Sequence, residues 1–205
     1  MTGSSFPLNE TLQTIKNRHS IRTFTDRGVS DEKISILLQS ANEAPSAHNQ
    51  QSWKFIVIRN QKKNELANLV TSKSAGFEKP ASALLRMAAR SIISAPVVIA
   101  VANTGDLIEH GTDLFKIKKD MARDFFRTME IQSSAAAVEN LLLAATSLGL
   151  STVWLGILFL IKDDVLQFLD EPRGEFMAVV PVGYSGKVST GPQKQSFEMK
   201  IKYLD

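Results

Sequence analysis

Two clusters of side chains in this 205-residue chain have the types and spacing that chemistry needs. The first is Arg18-His19-Ser20-Ile21-Arg22. Two arginines four positions apart, with a serine between them, can converge on a phosphate or another anion through charge-assisted hydrogen bonds. The same cations at the end of a solvated helix would be favourable with no ligand at all, because they complement the helix dipole. The second cluster lies between Ala44 and Ile58. Ser46, His48, Asn49, Gln50, Gln51 and Ser52 place six hydrogen-bonding side chains in seven positions. Pro45 should end the helix before them, since the residue preceding a proline is driven out of the α region. Phe55-Ile56-Val57-Ile58 then predicts a short buried strand. A loop held at both ends in this way can present amides and side chains to a ligand in fixed positions. An ordinary solvated connection would have the same composition.

Several chemistries are excluded by what the chain lacks. With no cysteine there is no disulfide, no thiol nucleophile and no thiolate metal site. Three dispersed histidines, His19, His48 and His110, do not predict a metal centre. Lys and Arg number 24 against 21 acidic residues, for a net charge of +3, and the only basic run is the short Lys116–Lys119, so nucleic acid is not an expected partner. No apolar run is long enough to span a bilayer, the longest being Val153 to Ile161, and the start lacks the features of a signal peptide, which leads to the expectation of a cytoplasmic protein. No Gly-x-Gly-x-x-Gly follows a strand, and neither a phosphate-loop lysine motif nor a Gly-x-Ser-x-Gly elbow is present.

The elements that must position the two clusters follow from periodicity. Leu8, Leu12 and Ile15 predict a helix over about 9–17 with one buried face. Asp26-Arg27-Gly28 is a turn, and Ser30 is an N-cap for a helix running through Ile34, Leu37, Leu38 and Ala41 towards Pro45. Further helices are predicted over about 61–71 and from Leu84 to Ile92. Buried strands are predicted at Val97–Ala102 and Met177–Val182. From Asn103 the pattern is lost, and Gly105, Gly111 and mixed charge suggest an irregular excursion around 103–126. Ser133 to Leu148 is apolar on nearly every side, which predicts burial all round and, in a chain this small, a subunit interface. A short helix is expected from Asp163 to Leu169. The tail from 185 to 205 alternates like a strand and could pair with another subunit. The whole reads as a single domain over residues 1–205.

Taken together, the motifs resemble the FMN-dependent nitroreductase family. They are Arg-His-Ser-Ile-Arg-x-Phe, then Ala-Pro-Ser-Ala-x-Asn-x-Gln-x-Trp before a strand, Asn140 through Gly156, and Val180-Pro-Val-Gly-Tyr184, in that order. The resemblance implies an α+β fold: a nitroreductase-like, mixed, mainly antiparallel central sheet flanked by helices, in an intertwined homodimer with FMN sites at the interface. It further implies that Arg18, His19, Ser20 and Arg22 hold the phosphate, ribityl chain and pyrimidine side of FMN. Pro45, Ser46, Ala47 and Asn49, with Gln51 in the same motif, match the loop that the other subunit lays against the ring. Leu155 and Gly156 match positions whose backbone faces flavin N5 and O4. A basic residue near the C-terminus usually joins the phosphate; Lys187 and Lys194 are the candidates. Ser52 stands where the family usually has proline.

The implied activity is an NAD(P)H-dependent FMN oxidoreductase. NADH or NADPH would give a hydride to the flavin, and a small-molecule acceptor such as a nitroaromatic or quinone would take the electrons by a ping-pong mechanism. The scheme requires no general acid and no metal from the chain. A flavin-binding protein of this fold without efficient reductase activity, or a dehalogenase or oxidase, is the alternative. An anion-binding interaction domain using Arg18 and Arg22 without flavin is a third.

Overall fold

The computed structural model describes residues 9–115, 118–172, 174–187 and 190–204. Seven helices and four strands occur among them: α1 (Glu10–Asn17), α2 (Asp31–Asn42), β1 (Trp53–Ile58), α3 (Asn60–Ser74), α4 (Ala81–Ser94), β2 (Val97–Asn103), α5 (Asp106–Phe115), α6 (Lys119–Ser147), β3 (Ser151–Thr152), α7 (Lys162–Phe168) and β4 (Glu175–Gly183). The sheet order is β1-β2-β4-β3, and every pair is antiparallel. One parallel bridge, Ser20 to Thr152, adds the segment after α1 beyond β3 and makes the sheet mixed.

The apolar runs of β2 and β4 are continuous because both faces of the sheet are covered. Side chains alternate across a strand. Val98, Ala100, Ala102, Phe176 and Val179 accordingly meet α3, α4, α7 and the 3-10 turn Gly156–Ile161. Val97, Ile99, Val101, Ala178 and Val180 meet α2 and α6 on the opposite face. Edge strand β1 is only partly covered, and its Lys54 and Val57 reach solvent.

Two expectations are corrected here. The segment around 103–126 is not irregular over its described residues: it folds as α5 and as the first part of α6, which begins at Lys119 rather than near Ser133. Ala122, Phe126, Glu130 and Ser134 follow one another at i, i+4 and are all buried. A glutamate and a serine in that series hide the helical period from a hydropathy reading. Gly111 hides it again, though it has a packing reason to be there. A Cβ at this position would stand 2.4 Å from the ring of Phe126. The tail is the second correction. Its described residues form a 3-10 turn at Phe197–Lys200 and no strand.

Two apolar surfaces expected to be buried are open in the single chain. On α1 no residue is buried, and Leu12 and Ile15 are 47% and 50% exposed. On α6, Ala135, Ala136, Leu143 and Ala144 are only half-buried.

Gly111→Ala pits two effects against each other. Helix propensity alone favours alanine by about 1 kcal/mol. Overpacking against a fixed ring costs about 1–3 kcal/mol. The expected outcome is a net loss of roughly 1 kcal/mol in denaturant unfolding; a gain in stability would show that Phe126 does not hold this contact.

Candidate functional site

The Arg18–Arg22 segment crosses the end of the sheet where β3 stops. Ile21 N donates to Thr152 O at 2.9 Å, and Thr25 N donates to Tyr184 O at 2.9 Å. Phe24, buried between these two ties, anchors the crossing. Glycine is needed beneath it: a Cβ at Gly183 would lie 2.6 Å from Pro96 Cδ and 3.0 Å from Phe24 Cδ1.

Between this segment and the chain leaving β4 is an open cleft of about 400 Å³, lined by residues 20–25 and 185–187. Arg22 and Lys187 bring two cations to its walls, Ser20, Thr23, Thr25 and Ser185 bring hydroxyls, and no carboxylate is among the lining residues. Arg18, the residue that ends α1, is not among the lining residues; its Nε is 3.4 Å from Oε1 of Glu139 on α6. A guanidinium has five N–H donors, so this pairing leaves most of the fork available. His19 Nδ1 is 2.7 Å from Asn17 O. A carbonyl only accepts, so that nitrogen carries the proton. The C-terminal tail passes close by, since a Cβ at Gly191 would stand 2.9 Å from His19 Cβ. Lys194, further along the tail, is exposed and is not part of the cleft wall.

The second cluster is a strained loop. His48, Asn49 and Gln51 have φ of 55°, 53° and 52°, the left-handed region, with no glycine among them. Such residues cost about 1 kcal/mol or more each and persist where surrounding contacts impose them. Those contacts are present. Ser46 Oγ accepts from Gln51 N at 3.1 Å, Ala47 N donates to Ser133 Oγ at 3.1 Å, and Gln51 Nε2 donates to Asn49 Oδ1 at 3.1 Å. Below the loop, Trp53 Nε1 donates to Asn42 Oδ1 at 3.1 Å. Pro45, Asn49 and Gln51 are exposed, while Ser46 and Ala47 are half-buried. His48 meets the ring of Phe115 edge-on, with centroids 5.6 Å apart.

Leu155 and Gly156 sit beside the middle of β4. Leu155 is buried, and its N–H donates to Val179 O at 2.9 Å. Gly156 is exposed, and a Cβ there would meet nothing within 4 Å.

No residue of the polar loop is among those that line the cleft beside Ser20. The loop hangs from Ser133 and the arginine segment from Glu139, both on α6. Six helical residues span about 9 Å and turn through about 240°, so the anchors face different directions.

One residue of interest escaped the sequence. Glu130 is 1% exposed. Its Oε1 accepts from Leu107 N, near the start of α5, at 2.9 Å. Burial pushes its carboxyl above the usual carboxylate range, opposed by the Leu107 N–H and the nearby Ser52 hydroxyl, and reinforced by the charges of Asp106 and Glu175. Although Ser52 is close enough to favour the charged form, neither Ser52 Oγ nor Glu130 Oε2 completes a hydrogen bond. The only sequence signal is phase: Glu130 lies four and eight residues after Phe126 and Ala122.

The arrangement matches a known family. The nitroreductase family model fits residues 15–184, and the chain belongs to that family. A protein of Archaeoglobus fulgidus with the provisional name NADH dehydrogenase/NAD(P)H nitroreductase is 32% identical over 150 residues, covering 73% of this chain and 69% of that one. The FMN reductase (NADPH) of Bacillus subtilis is 24% identical over 165 residues, covering 80% of this chain and 61% of that one. Among solved structures, a nitroreductase with bound FMN from Desulfitobacterium hafniense superposes with a TM-score of 0.74 at 23% identity, covering 97% of this chain and all of that one (100%). No helix among the described residues is long and apolar enough to cross a membrane.

Ser133→Ala removes the acceptor of the Ala47 amide. A lost hydrogen bond of about 1 kcal/mol should speed amide exchange at Ala47 roughly fivefold. Unchanged exchange would mean that the loop does not hang from α6.

Proposed function

We propose that this chain is an NAD(P)H-dependent oxidoreductase that uses FMN and works as a homodimer, with each flavin site shared between two copies. The observation that carries this reading is the cleft beside Ser20: two cations, four hydroxyl-bearing residues and no carboxylate in its wall, as a phosphate monoester requires. The FMN bound by the Desulfitobacterium relative and the NADPH in the name of the Bacillus enzyme support the same chemistry.

In this reading Ser20 and Lys187, with the free N–H groups of Arg18, hold the phosphate and ribityl end. His19 stands beside them, and Arg22 sets a fixed positive charge towards the pyrimidine end. Leu155 and Gly156 offer backbone to the N5 and O4 edge, where the absence of a side chain at Gly156 leaves room for the ring. Pro45, Ser46, Ala47, Asn49 and Gln51 of a second copy close the other side. The left-handed backbone at His48, Asn49 and Gln51 is fixed in advance by contacts from Ser46 and Ser133, so little ordering is left to do on binding. The open apolar faces of α1 and α6 and the exposed tail residues Met199, Ile201 and Tyr203 supply the surface for that second copy.

When bound, FMN would supply the redox chemistry, with NADH or NADPH as the reductant and a small molecule such as a quinone or nitroaromatic as the acceptor. No fingerprint in the chain retains the dinucleotide. Reductant and acceptor therefore use the site in turn, and initial-rate plots at several fixed acceptor concentrations should be parallel.

The test is to heat-denature the purified protein and identify the released flavin. FMN supports the reading; no flavin after reconstitution overturns it. Two variants then separate the candidate phosphate ligands. Lys187→Ala should weaken FMN binding about 10- to 100-fold, the worth of one charge-assisted hydrogen bond of roughly 1.5–3 kcal/mol. Lys194→Ala should leave it unchanged. The reverse order would move the phosphate contact along the tail.

A further inference from the structure

We propose that Tyr184 is a positioning residue for the phosphate cleft: held by Arg27 and Lys33, it fixes the spacing of the two cleft walls and so places Lys187 to meet the anion. This rests on the reading of the cleft as the FMN phosphate site given above.

The cleft has two walls, residues 20–25 and residues 185–187. Tyr184 stands at the foot of the second wall, as the first residue after β4. It is tied to the first wall through both its main chain and its side chain. Its carbonyl accepts the Thr25 N–H at 2.9 Å. Two residues beyond Thr25, Arg27 Cζ lies 4.0 Å from the centre of the Tyr184 ring. Just after Tyr184 the walls run close together, since a Cβ at Gly186 would stand 3.2 Å from Thr25 Cγ2. Ser185 then makes a tight turn onto Lys187, its Oγ donating to Lys187 O at 2.7 Å and accepting from Lys187 N at 3.2 Å. Lys187 therefore extends from a backbone that Tyr184 fixes to the opposite wall.

The ring is held in turn by α2 and the end of α6. Lys33 Nζ donates to Tyr184 Oη at 3.2 Å and to Leu148 O at 2.8 Å. It also lies 5.3 Å from the ring centre. Leu148 caps the C-terminus of α6, where the helix dipole favours a cation. Neither Arg27 nor Lys33 has an ion-pair partner among the described residues. The electron-rich ring and its hydroxyl take that place. A ring held at its face and its hydroxyl has little freedom to turn, and the backbone that carries it is held with it.

Tyr184 also packs against the apolar cluster that α2 and α6 form on one face of the sheet. A role confined to packing would weaken FMN binding equally whether or not a lysine stands at position 187. A role in placing Lys187 disappears when Lys187 is gone.

A double-mutant cycle separates the two. The FMN dissociation constant is measured for the wild type, Tyr184→Leu, Lys187→Ala and the double variant. Tyr184→Leu should weaken FMN binding about tenfold when Lys187 is present and less than about twofold when it is alanine. Equal losses in the two backgrounds overturn the inference. Tyr184→Phe keeps the ring beneath Arg27 and should bind within about threefold of the wild type. A loss as large as that of the leucine variant overturns the part given to the ring. Should Tyr184→Leu not fold, Arg27→Gln, at an exposed position, supplies the same cycle. It should cost about threefold with Lys187 present and nothing without it, equal losses again overturning the inference. If the wild type binds no FMN, the functional reading fails. Exchange of the Thr25 amide in flavin-free protein then decides whether Tyr184 joins the walls: faster exchange in Tyr184→Leu than in Tyr184→Phe supports it, and equal exchange in the two overturns it.

Discussion

The Ser133 hydroxyl of α6 accepts the Ala47 amide at 3.1 Å and donates to Met129 O at 2.7 Å. That single group joins a strained surface loop to the long helix α6. The rest of the site depends on the same kind of contact repeated along α6. Glu130 receives the start of α5, Ser134 holds the end of β2, Glu139 pairs with Arg18, and Asn140 Nδ2 donates to Ser40 O in α2 at 3.1 Å. Apolar side chains keep α6 against the sheet, through Val138, Leu141 and Ala145. The polar ones decide where each neighbouring segment begins or ends. A buried hydrogen bond adds little net stability, but removing one partner exposes the full desolvation cost of the other. These contacts therefore specify positions more than they stabilise the fold.

This division explains what a reading of the sequence alone can and cannot reach. The strands β2 and β4 and the helix α2 announce themselves, because their burial is apolar and periodic and Ser30 caps α2 as its type suggests, its Oγ accepting from Lys33 N at 3.3 Å. The arginine segment and the polar loop are legible as chemistry because their side chains are too polar and too closely spaced to be core. The first half of α6 is not legible, since its buried face includes Glu130 and Ser134. Nor is α5, where Gly111 marks contact with Phe126 rather than a break. Alternation in the tail does not produce a strand among its described residues, where Phe197–Lys200 close a 3-10 turn instead.

Strain in the loop was equally hidden. Nothing in Ser-Ala-His-Asn-Gln-Gln requires three left-handed residues, although His48 and Asn49 are of types enriched in that conformation and Gln51 is not. The backbone is held by contacts from Ser46 and Ser133, one inside the loop and one 86 residues away. Such contacts hold the loop to α6, apart from the residues that line the Arg22–Lys187 cleft, and the proposed sharing of the site between copies starts from that separation. An arginine segment and a loop that diverge within one chain can face each other across a two-fold axis.

Complementation between defective copies tests that sharing most directly. One variant carries Arg22→Ala with Lys187→Ala, which disables the cleft; the other carries Asn49→Ala with Gln51→Ala, which disables the loop. Each is unfolded, mixed with the other and refolded, and bound FMN is titrated. Random pairing makes half the dimers mixed, and each mixed dimer has one intact site, so about a quarter of wild-type FMN binding should return. If the mixture binds no more FMN than the two variants separately, each site is built within one chain and the shared site is contradicted.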